Sequence, residues 1–373
     1  MPGRVLITGG AGFIGSHLAD DLLRRGYAVR ILDSLSPQVH GADQASPPYL
    51  TADVDLRIGD LRDPGVVQSS LERVDAVVHL ASRVGVGQSM YRVADYVAVN
   101  DLGTAVLLEA LIERPVERLV VASSMSIYGE GLYRDHRGRL IADATRDPDQ
   151  LRRGAWDPVD ATGAALTPLA TPETKTPSLA SVYALSKYVQ ERMCLMIGQS
   201  YAIPTTALRF FNVYGPHQAL ANPYTGVLAI FASRLLNGRR PMIFEDGEQR
   251  RDFVSVYDVA RACRLALERP EAAGQAINVG SGIGRTVREV ASSLASLLGR
   301  PDLGPEMTGR YRHGDIRHCF ADLTLAEERL GYRPAVSFEA GLEDLIGWLT
   351  KQTPEEDRVD SATAELAIRG LVA

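Results

Sequence analysis

The first part of the chain alternates short β-branched apolar runs with longer stretches of helical periodicity. The apolar runs are RVLIT (4–8), AVRIL (28–32), VDLRI (54–58), AVVHL (76–80) and RLVVAS (118–123). The helical stretches include SHLADDLLRRG (16–26), in which three leucines share one face and Gly26 follows the last turn. Strands that alternate with helices predict a parallel sheet covered by helices on both faces. TTALRF (205–210) and AINVG (276–280) are predicted as late strands of this sheet.

Two segments interrupt this rhythm. Residues 129–177 are rich in charge, proline and glycine and show little periodicity, which predicts an irregular insertion. Within it DHRG (135–138) favours a small hairpin. Its basic residues could touch a substrate, but a solvated insertion is the preferred interpretation. Residues 353–373 are predicted to form a polar linker and a short helix.

Composition narrows the class of protein. The chain has 373 residues, of which 45% are hydrophobic and 23% charged, so it can bury a substantial core. The net charge is −6 and no basic block is present, which argues against nucleic acid as a partner. Cys194, Cys263 and Cys319 show neither a disulfide framework nor a zinc spacing, so no metal site is predicted. Without a signal-like segment or a membrane-length apolar run, we expect a soluble cytoplasmic protein with no membrane partner.

A glycine loop follows the first predicted strand. LITGGAGFIGSHL (6–18) spaces Gly9, Gly12 and Gly15 as G-x-x-G-x-x-G between a strand and a helix, the context of a dinucleotide-binding turn. Glycines let the backbone approach a pyrophosphate, and the helix N-terminus offers unpaired N–H groups. Asp33 ends the second strand, where a carboxylate binds ribose hydroxyls and repels a 2′-phosphate. The loop therefore predicts NAD rather than NADP.

A phenol and an ammonium share one turn of a later predicted helix. SVYALSKYVQE (181–191) places Tyr183 and Lys187 four residues apart on the same face. Free tyrosine titrates near ~10, and a nearby positive charge favours its ionisation. An aromatic ring packed under an extended lysine is the alternative, because Tyr-x-x-x-Lys occurs by chance in many helices.

A hydroxyl partner for the tyrosine is expected at the end of the fifth strand. VVASSMSIYGEG (120–131) places Ser123 and Ser124 at the carboxyl edge of the sheet, where doubly wound folds bind ligands. Taken alone, Ser124 is better explained as a strand-end cap. Together with Tyr183, Lys187 and the glycine loop, it is predicted to hydrogen-bond the substrate oxygen that the tyrosine deprotonates.

At this point the chain resembles the extended short-chain dehydrogenase/reductases, in particular the NAD-dependent nucleotide-sugar epimerases and dehydratases. The resemblance covers about residues 3–350. It rests on TGGAGFIG, Asp33, GDLRD (59–63), HLAS (79–82), VNDLGT (99–104), SSMSIYG (123–129), YALSK (183–187), RFFNVYGP (209–216), RRDFVSVYDVA (250–260) and RHGDIRHCFAD (312–322).

The resemblance implies a Rossmann sheet with a smaller α+β substrate-binding lobe. Residues 1–212 and 253–283 would form the NAD-binding domain, and residues 213–252 and 284–352 the nucleotide-sugar-binding lobe. Family members often pair through two helices, here roughly 88–113 and 181–200, so a homodimer is implied. The apolar face of the second helix comprises Val182, Leu185, Val189, Met193 and Met196. Packing of that face on the protein's own sheet is the alternative.

The resemblance also carries roles onto matching positions. Ser124, Tyr183 and Lys187 would be the catalytic residues. Cofactor contacts are implied for Gly9, Gly12, Phe13, Ile14, Gly15, Asp33, Asp60, Leu61, Ala81, Asn100, Ser123, Tyr183 and Lys187, with Asp60 and Leu61 at the adenine and Asn100 near the active site. Substrate contacts are implied for Ser124, Ser126, Asn212, Asn222, Tyr224, Arg251 and Arg312, with Asn212 and the two arginines on the diphosphate. Arginine forks suit phosphate oxygens, although most arginines form weak surface ion pairs.

The residues after Ser124 bear on the reaction. Sugar 4,6-dehydratases of this family carry an Asp-Glu pair there and UDP-glucuronate decarboxylases a Glu, whereas this chain has Met125 and Ser126. Dehydration requires a general acid to expel the C6 hydroxyl, so its key residue is missing. We therefore expect an NAD-dependent nucleotide-sugar 4-epimerase, in which Lys187 and the nicotinamide charge lower the pKa of Tyr183.

The substrate remains open among several sugars. Residues 215–253 resemble the corresponding lobe of dTDP-L-rhamnose 4-epimerases, mainly through NPYTGV (222–227), which is also an ordinary turn sequence. A UDP-glucose/UDP-galactose or UDP-glucuronate 4-epimerase is the nearest alternative. Two further alternatives are an NAD(P)-dependent deoxysugar 4-ketoreductase and a non-catalytic NAD-binding regulator.

Overall fold

The computed structural model describes residues 3–41, 46–220, 222, 224, 226–312, 314–352 and 359–372. Its strands, in chain order, are β1 Arg4–Thr8, β2 Ala28–Asp33, β3 Asp55–Ile58, β4 Ala76–His79, β5 Arg118–Ser124, β6 Leu132–Arg134, β7 Leu140–Ile141, β8 Thr167–Leu169, β9 Thr205–Phe210, β10 Asn212–Tyr214, β11 Met242–Ile243, β12 Arg250–Ser255, β13 Ala276–Val279, β14 Gly284–Thr286, β15 Glu306–Met307 and β16 His318–Cys319. Its α-helices are α1 Phe13–Arg24, α2 Pro37–His40, α3 Pro64–Ser70, α4 Val86–Ser89, α5 Val93–Tyr96, α6 Gly103–Glu113, α7 Pro148–Arg152, α8 Val182–Ser200, α9 Val227–Leu236, α10 Val256–Glu268, α11 Val287–Leu297, α12 Thr324–Leu330, α13 Phe338–Leu349 and α14 Val359–Ile368. A π-helical turn spans Val97–Leu102, and 3-10 turns span Met125–Tyr128, Pro270–Ala272 and Pro301–Leu303.

A seven-stranded sheet forms the centre of the molecule, in the order β13-β9-β5-β4-β1-β2-β3. All of its neighbouring strands pair in parallel. The chain winds outward from β1 through β2 and β3, and then builds the other half of the sheet from β4 onward. Every strand of this sheet was predicted from the sequence, with bounds displaced by at most one residue. The doubly wound Rossmann fold is therefore confirmed.

The two faces of the sheet bury separate cores. In β1, Val5 and Ile7 point to the core beneath α1 and α10, whereas Leu6 points to the core shared with α3, α6 and α8. The side-chain period of two along a strand produces this division, and it requires apolar residues on both faces. This is why the strands read as nearly continuous apolar runs.

A smaller lobe is built from α9, α11 and α13 around a third core. Tyr214, Phe231, Phe253, Leu294 and Leu342 are buried in it. A second sheet, β10-β12-β14 with β16 on β12, lies in this region. The domain boundaries predicted after residues 212 and 252 fall inside β10 and β12, and the division into two domains stays a prediction.

The insertion at 129–177 is more structured than predicted. The DHRG turn connects β6 and β7, which pair antiparallel, and β8 completes a small sheet. Arg146 is buried and forms ion pairs with Glu130 at 3.1 Å and with Glu245 of the smaller lobe at 2.6 Å. Most other charged residues of the insertion are exposed, as expected of a solvated segment, so Arg146 is an exception that ties the insertion to the smaller lobe.

The segment expected as one helix over 88–113 is divided in the structure. Helix α4 ends at Ser89, α5 begins at Val93, and the π-helical turn leads into α6. Thr104 Oγ1, in the first turn of α6, donates to the carbonyl oxygen of Asn100 in the π-helical turn. The wider turn places the Asn100 side chain in the interior, as π-helical turns often do at functional sites.

The end of the chain packs across the sheet domain and the smaller lobe. Residues 359–368 form α14, where a short helix was expected, and the linker positions 353–358 lie outside the described residues. Asp360 receives hydrogen bonds from Arg234 at 2.6 Å and Arg239 at 2.8 Å. The guanidinium of Arg369 lies 4.2 Å from the ring centroid of Tyr91, so this segment bridges the two parts of the fold.

Candidate active site

The glycine loop joins β1 to α1 with no room for side chains at two positions. A Cβ atom on Gly9, whose φ is +69°, would lie 2.8 Å from the backbone of Ala81, and one on Gly15 would lie 2.5 Å from Gly10. Gly12 precedes the first residue of α1 and provides no side-chain cap. Phe13 and Ile14 follow, half-buried. The first N–H groups of α1 are thus left for an anion such as a pyrophosphate.

Asp33 ties the end of β2 to the glycine loop. Its Oδ2 accepts the N–H of Ala11 at 3.0 Å, and its Oδ1 accepts the N–H of Leu35 at 2.9 Å. His40 Nε2 lies 3.8 Å from Oδ1. Because a carboxylate offers about four acceptor positions, Asp33 retains the capacity to accept from ribose hydroxyls, the role expected from sequence.

Asp60 and Leu61 follow β3 at the same edge of the sheet. The Asp60 carboxylate is held by Arg62, through Nη2 at 2.6 Å and Nε at 2.9 Å. Leu61 is buried in the core beside α6 and packs against Gly103. Their implied contact with adenine stays a prediction.

Ala81 and Asn100 shape the loop that follows β4. The N–H of Ala81 donates to Thr8 Oγ1 at 3.3 Å. Asn100 is fully buried: its Oδ1 accepts the N–H of Arg83 at 2.7 Å, and its Nδ2 donates to Ser186 Oγ at 2.9 Å. Asn100 therefore fastens this loop to α8 between Tyr183 and Lys187.

A chain of hydroxyl groups leads to Tyr183. Ser126 donates to Ser124 Oγ through its own Oγ at 2.9 Å and through its backbone N–H at 3.2 Å. The Ser124 hydroxyl faces the side chain of Tyr183 and acts to lower the pKa of its phenol. The start of α8 is fixed by Ser89, whose Oγ accepts the N–H of Tyr183 at 3.0 Å. The end of β5 and the first turn of α8 thus meet as the sequence predicted.

Burial and hydrogen bonding act on the titratable groups of this chain. Burial raises the pKa of Tyr183, and the hydrogen bond from Ser124 opposes that rise. Burial lowers the pKa of Lys187 to about 8. Lys187 Nζ donates to Gln190 Oε1 at 2.8 Å. Ser124 thus favours the phenolate form of Tyr183, and the contribution expected from Lys187 and the nicotinamide charge stays a prediction.

Ser123 is turned away from Ser124, as neighbouring residues of a strand are. Its Oγ donates to Glu191 Oε2 at 2.6 Å. The Glu191 carboxylate also accepts hydrogen bonds from Arg209 Nη2 at 2.6 Å and from Arg209 Nε at 2.9 Å. The Ser123 hydroxyl is therefore part of a buried structural ion pair, which leaves only its backbone for the cofactor contact that the family resemblance implies.

An arginine network joins the insertion to the smaller lobe; it comprises Arg146, Arg251 and Arg317 with Glu130, Asp157, Glu245, Asp246 and Asp315. Arg317 is almost fully buried and donates to Asp246 at 2.6 Å, Asp157 at 2.7 Å and Glu245 at 3.0 Å. Arg251 donates to the carbonyl of Arg317 at 3.0 Å and to Asp315 at 3.3 Å. The guanidinium of Arg251, which was expected to bind a diphosphate, therefore already has some of its donors in use.

Arg312 is freer than Arg251. Its side chain is 40% exposed, lies 3.5 Å from Asp315 and stacks 4.6 Å from the ring centroid of Phe244. The predicted diphosphate-binding Asn212 has a buried Oδ1 without a hydrogen-bond partner among the described residues. Both groups could contact a ligand without losing a strong intramolecular bond.

Asn222 and Tyr224 form a turn that faces the sheet domain. Asn222 Oδ1 accepts the N–H of Tyr224 at 3.1 Å and also accepts from Gln38 Nε2 at 3.2 Å. The hydroxyl groups of Tyr224 and Tyr91 are 2.6 Å apart, and Tyr224 packs against Gly85. The turn thus contacts the loop between β4 and α4, and its implied contact with the substrate stays a prediction.

The chain matches a family model described as the NAD dependent epimerase/dehydratase family over residues 5–147 and 161–280. A dTDP-L-rhamnose 4-epimerase from Burkholderia thailandensis is 34% identical over 94% of this chain and 95% of its own length. The chain belongs to the NAD-dependent epimerase/dehydratase family.

Solved structures of the same family share the fold. A UDP-glucose 4-epimerase from Thermotoga maritima, crystallised with UDP-glucose, has a TM-score of 0.75 and 31% identity, covering 93% of this chain and 99% of its own. A UDP-glucuronic acid 4-epimerase from Bacillus cereus, in complex with UDP-glucuronic acid and NAD, has a TM-score of 0.75 and 26% identity, covering 93% and 99%. The predictions of an NAD-dependent enzyme and of NAD as its cofactor are confirmed by the family.

The residues present fit NAD. The glycine loop excludes side chains where a pyrophosphate would approach, and α1 begins without a cap. Asp33 lies beside that loop with acceptor positions to spare. Within the described ranges no helix is long and apolar enough to cross a bilayer. The expected cytoplasmic location stays a prediction.

Several residues near the catalytic groups were not singled out from the sequence. Gln190 holds Lys187, and His79 and Thr104 contact Gln190. Gln190 stood in the stretch that held Tyr183 and Lys187, three residues after the lysine, where helix geometry places a neighbour. No sequence pattern indicated that Arg146 would reach Glu245, because the two are 99 residues apart.

Proposed function

We propose that this protein is an NAD-dependent nucleotide-sugar 4-epimerase, with a dTDP-L-rhamnose-type sugar nucleotide as substrate. The supporting observation is that Ser124, which accepts from Ser126, faces Tyr183 at the carboxyl end of β5. This arrangement offers one proton-accepting group, one orienting hydroxyl and no carboxylic acid in the 3-10 turn Met125–Tyr128.

The chain's own residues would handle one proton at one sugar oxygen. Tyr183 Oη, as phenolate, accepts the proton of the O4 hydroxyl and later returns it. Ser124 donates to the same oxygen and fixes its position, while the ammonium of Lys187 stabilises negative charge nearby. The chemistry that NAD supplies when bound is hydride transfer to and from C4. The glycine loop and Asp33 would hold that cofactor against the carboxyl edge of the sheet.

Dehydration would require an acid that is free to reach the sugar. Glu130 accepts from the N–H of Arg317 at 2.8 Å and pairs with Arg146. Glu191 is bound by both arms of Arg209. These two glutamates flank the catalytic segments in sequence, yet both are held in buried contacts, which supports epimerisation over dehydration.

The preference for a dTDP-L-rhamnose-type sugar rests on the NPYTGV stretch and on the similarity of the Burkholderia thailandensis relative, at 34% identity. A UDP-glucose/UDP-galactose or UDP-glucuronate 4-epimerase is the second candidate. It is favoured by the likeness to the UDP-sugar enzymes of known structure. Uracil, thymine and the group at C6 must be distinguished by assay.

The deciding experiment follows inversion at C4 in a panel of sugar nucleotides. The purified protein is incubated with dTDP-L-rhamnose, UDP-glucose, UDP-galactose and UDP-glucuronate without added cofactor, and products are identified by NMR. We expect C4 inversion of dTDP-L-rhamnose with no accumulation of NADH. Stoichiometric NADH, or NADPH-dependent reduction of a 4-keto sugar, would show a net oxidoreductase. NAD binding without turnover of any sugar would favour a regulator.

A homodimer is also proposed. Val93, Val97 and Leu102 of the α5–α6 segment are exposed, as are Leu185 and Met196 of α8, and the two segments pack against each other. Leu185 and Met196 belong to the face predicted to be apolar, whereas the rest of that face is half-buried. Exposed apolar side chains on two neighbouring segments are typical of an interface.

Light scattering tests the dimer. The wild type is expected at twice the monomer mass, and Leu185→Glu with Met196→Glu at the monomer mass. Exposed Ile368→Glu, on α14, is the matched control and should leave the mass unchanged. A monomeric wild type would contradict the proposal.

A further inference from the structure

A buried row of polar side chains leads from the end of β1 to the catalytic lysine. Thr8, His79, Thr104, Gln190 and Lys187 are each at most 3% exposed. They come from β1, β4, α6 and α8, at the carboxyl edge of the sheet. We call this set the buried polar chain. Its last contact is the hydrogen bond of 2.8 Å from Lys187 Nζ to Gln190 Oε1.

The orientation of the Gln190 amide is determined at both ends. Thr104 Oγ1 donates its proton to the carbonyl of Asn100, so it can only accept from Gln190, whose Nε2 lies at 2.8 Å. Lys187 has donors only and must therefore face Oε1. A reversed amide would place acceptor against acceptor at Thr104 and donor against donor at Lys187.

His79 keeps this arrangement neutral. Its Nε2 lies 2.9 Å from Thr104 Oγ1 and 3.2 Å from Gln190 Nε2, and its Nδ1 lies 2.7 Å from Thr8 Oγ1. Burial, and next the charge of Lys187, lower the pKa of His79 to about 3, so the imidazole is uncharged at neutral pH.

We propose that Gln190 is a positioning residue of the reaction, whose amide, locked by Thr104, holds the ammonium of Lys187 in place one turn from Tyr183 without neutralising its charge. The inference deepens the proposed 4-epimerase function and rests on it for its kinetic part. Its structural part, the bond between Gln190 and Lys187, can be measured without any substrate.

The surroundings of Lys187 make Gln190 its main neutral acceptor. On α8 the titratable neighbours are Tyr183, Glu191 and Cys194, and from β4 the neighbour is His79. Glu191 is engaged by Arg209 and Ser123. Losing the Gln190 acceptor should therefore destabilise the ammonium, and a carboxylate in its place should stabilise it.

The test compares Gln190→Met, which removes the acceptor, with Gln190→Glu, which keeps an oxygen and adds charge. For Gln190→Met we expect kcat to fall about 10-fold to 100-fold with KM within about twofold, and the alkaline limb of the pH–kcat profile to move down by about one pH unit. Gln190→Glu should lose less activity and move that limb upward. Exposed Gln199→Met on the same helix is the control.

The second readout needs no turnover. The lysines of the chain are Lys175, Lys187 and Lys351, so lysine-selective labelling gives a spectrum simple enough for NMR titration. Lys187→Arg assigns the signal, and the pKa of Lys187 should fall in Gln190→Met and rise in Gln190→Glu while Lys175 stays unchanged. If the pKa of Lys187 shifts in opposite directions in the two variants but the protein epimerises no sugar, the bond between Gln190 and Lys187 is supported and only the proposed function is refuted.

Two results would overturn the inference. One is that both variants match the wild type in kcat and in the pKa of Lys187, and the other is that both variants lose the same activity.

Discussion

Around Tyr183 and Lys187 the buried contacts are hydrogen bonds between mostly neutral groups, whereas around Arg317 they are ion pairs. The first region lies at the ends of neighbouring parallel strands and the helix that follows, so its members meet because the sheet forms. The arginine network instead joins insertion residues to partners 99 residues away, as in Arg146–Glu245, and 160 residues away, as in Arg317–Asp157.

This difference teaches how each region tolerates change. A neutral hydrogen-bonded site can orient one charge, Lys187, without cancelling it. A dense ion-pair network is internally balanced, and removing one partner leaves buried charge uncompensated. We therefore expect substitutions in the first region to affect turnover and those in the second to affect stability or substrate affinity.

The largest effect is expected for Tyr183→Phe, which removes the proton-accepting group. Turnover should fall by about 10²-fold to 10⁴-fold, since general acid–base groups contribute on that order. NAD content and the unfolding midpoint should stay close to wild type, measured by absorbance of the denatured protein and by thermal melts. Half-exposed Tyr201→Phe, at the end of the same helix, is the control. Surviving activity would show that another group is the base.

Arg317→Met should destabilise the arginine network, which is the second of the two regions compared. It leaves Glu245, Asp246 and Asp157 without their shared cation, so the free energy of unfolding should fall by about 3 kcal/mol or more. Urea denaturation measures this, and Arg333→Met, whose ion pair is exposed, should cost little stability. If both variants lost the same free energy of unfolding, the distinction between buried and exposed ion pairs would be contradicted.

Arg312→Ala should sharpen the comparison, because Arg312 is the less engaged of the two arginines predicted to bind the diphosphate. Loss of a charge-assisted hydrogen bond of about 1.5–3 kcal/mol predicts a rise in KM for the sugar nucleotide of roughly 10-fold to 100-fold, with little change in kcat. Steady-state kinetics test this against exposed Arg300→Ala. An unchanged KM would place the diphosphate elsewhere.

The smallest effect concerns acid stability. A hydrogen bond from His318, and then the contacts of Arg317, hold the pKa of Asp157 well below its usual range. A carboxyl with a lowered folded-state pKa adds stability above its unfolded pKa of about 4, and this stability is lost as the pH falls further.

Asp157→Asn should therefore flatten the acid side of the stability profile. Because Asp157 is half exposed, the difference from wild type at pH 7 should be below about 1 kcal/mol, and it should shrink steadily as the pH falls below about 4. Urea melts at several pH values, with exposed Asp149→Asn as control, check this. A difference that grows as the pH falls would contradict the assigned sign.

Much of the fold could be read from local pattern. The strands of the central sheet were found because apolar β-branched runs between helical stretches are a local signal. The family resemblance predicted Asn100 near the active site. Its inward orientation depends on a π-helical turn, and no periodicity in the sequence predicts such a turn. Ser123 and Ser124 look alike in sequence, and only the strand's pleat decides that one faces Glu191 and the other Tyr183.

The sequence by itself determined the doubly wound sheet, the glycine loop and the pairing of Tyr183 with Lys187, because each depends on spacing within a few turns of chain. Only the tertiary structure decided that Gln190 holds Lys187 through an amide locked by Thr104, and that Arg251 is already shared with Asp315. The physical reason is that hydrogen bonds and ion pairs depend on distances of about 3 Å between segments whose separation in sequence carries no information about their separation in space.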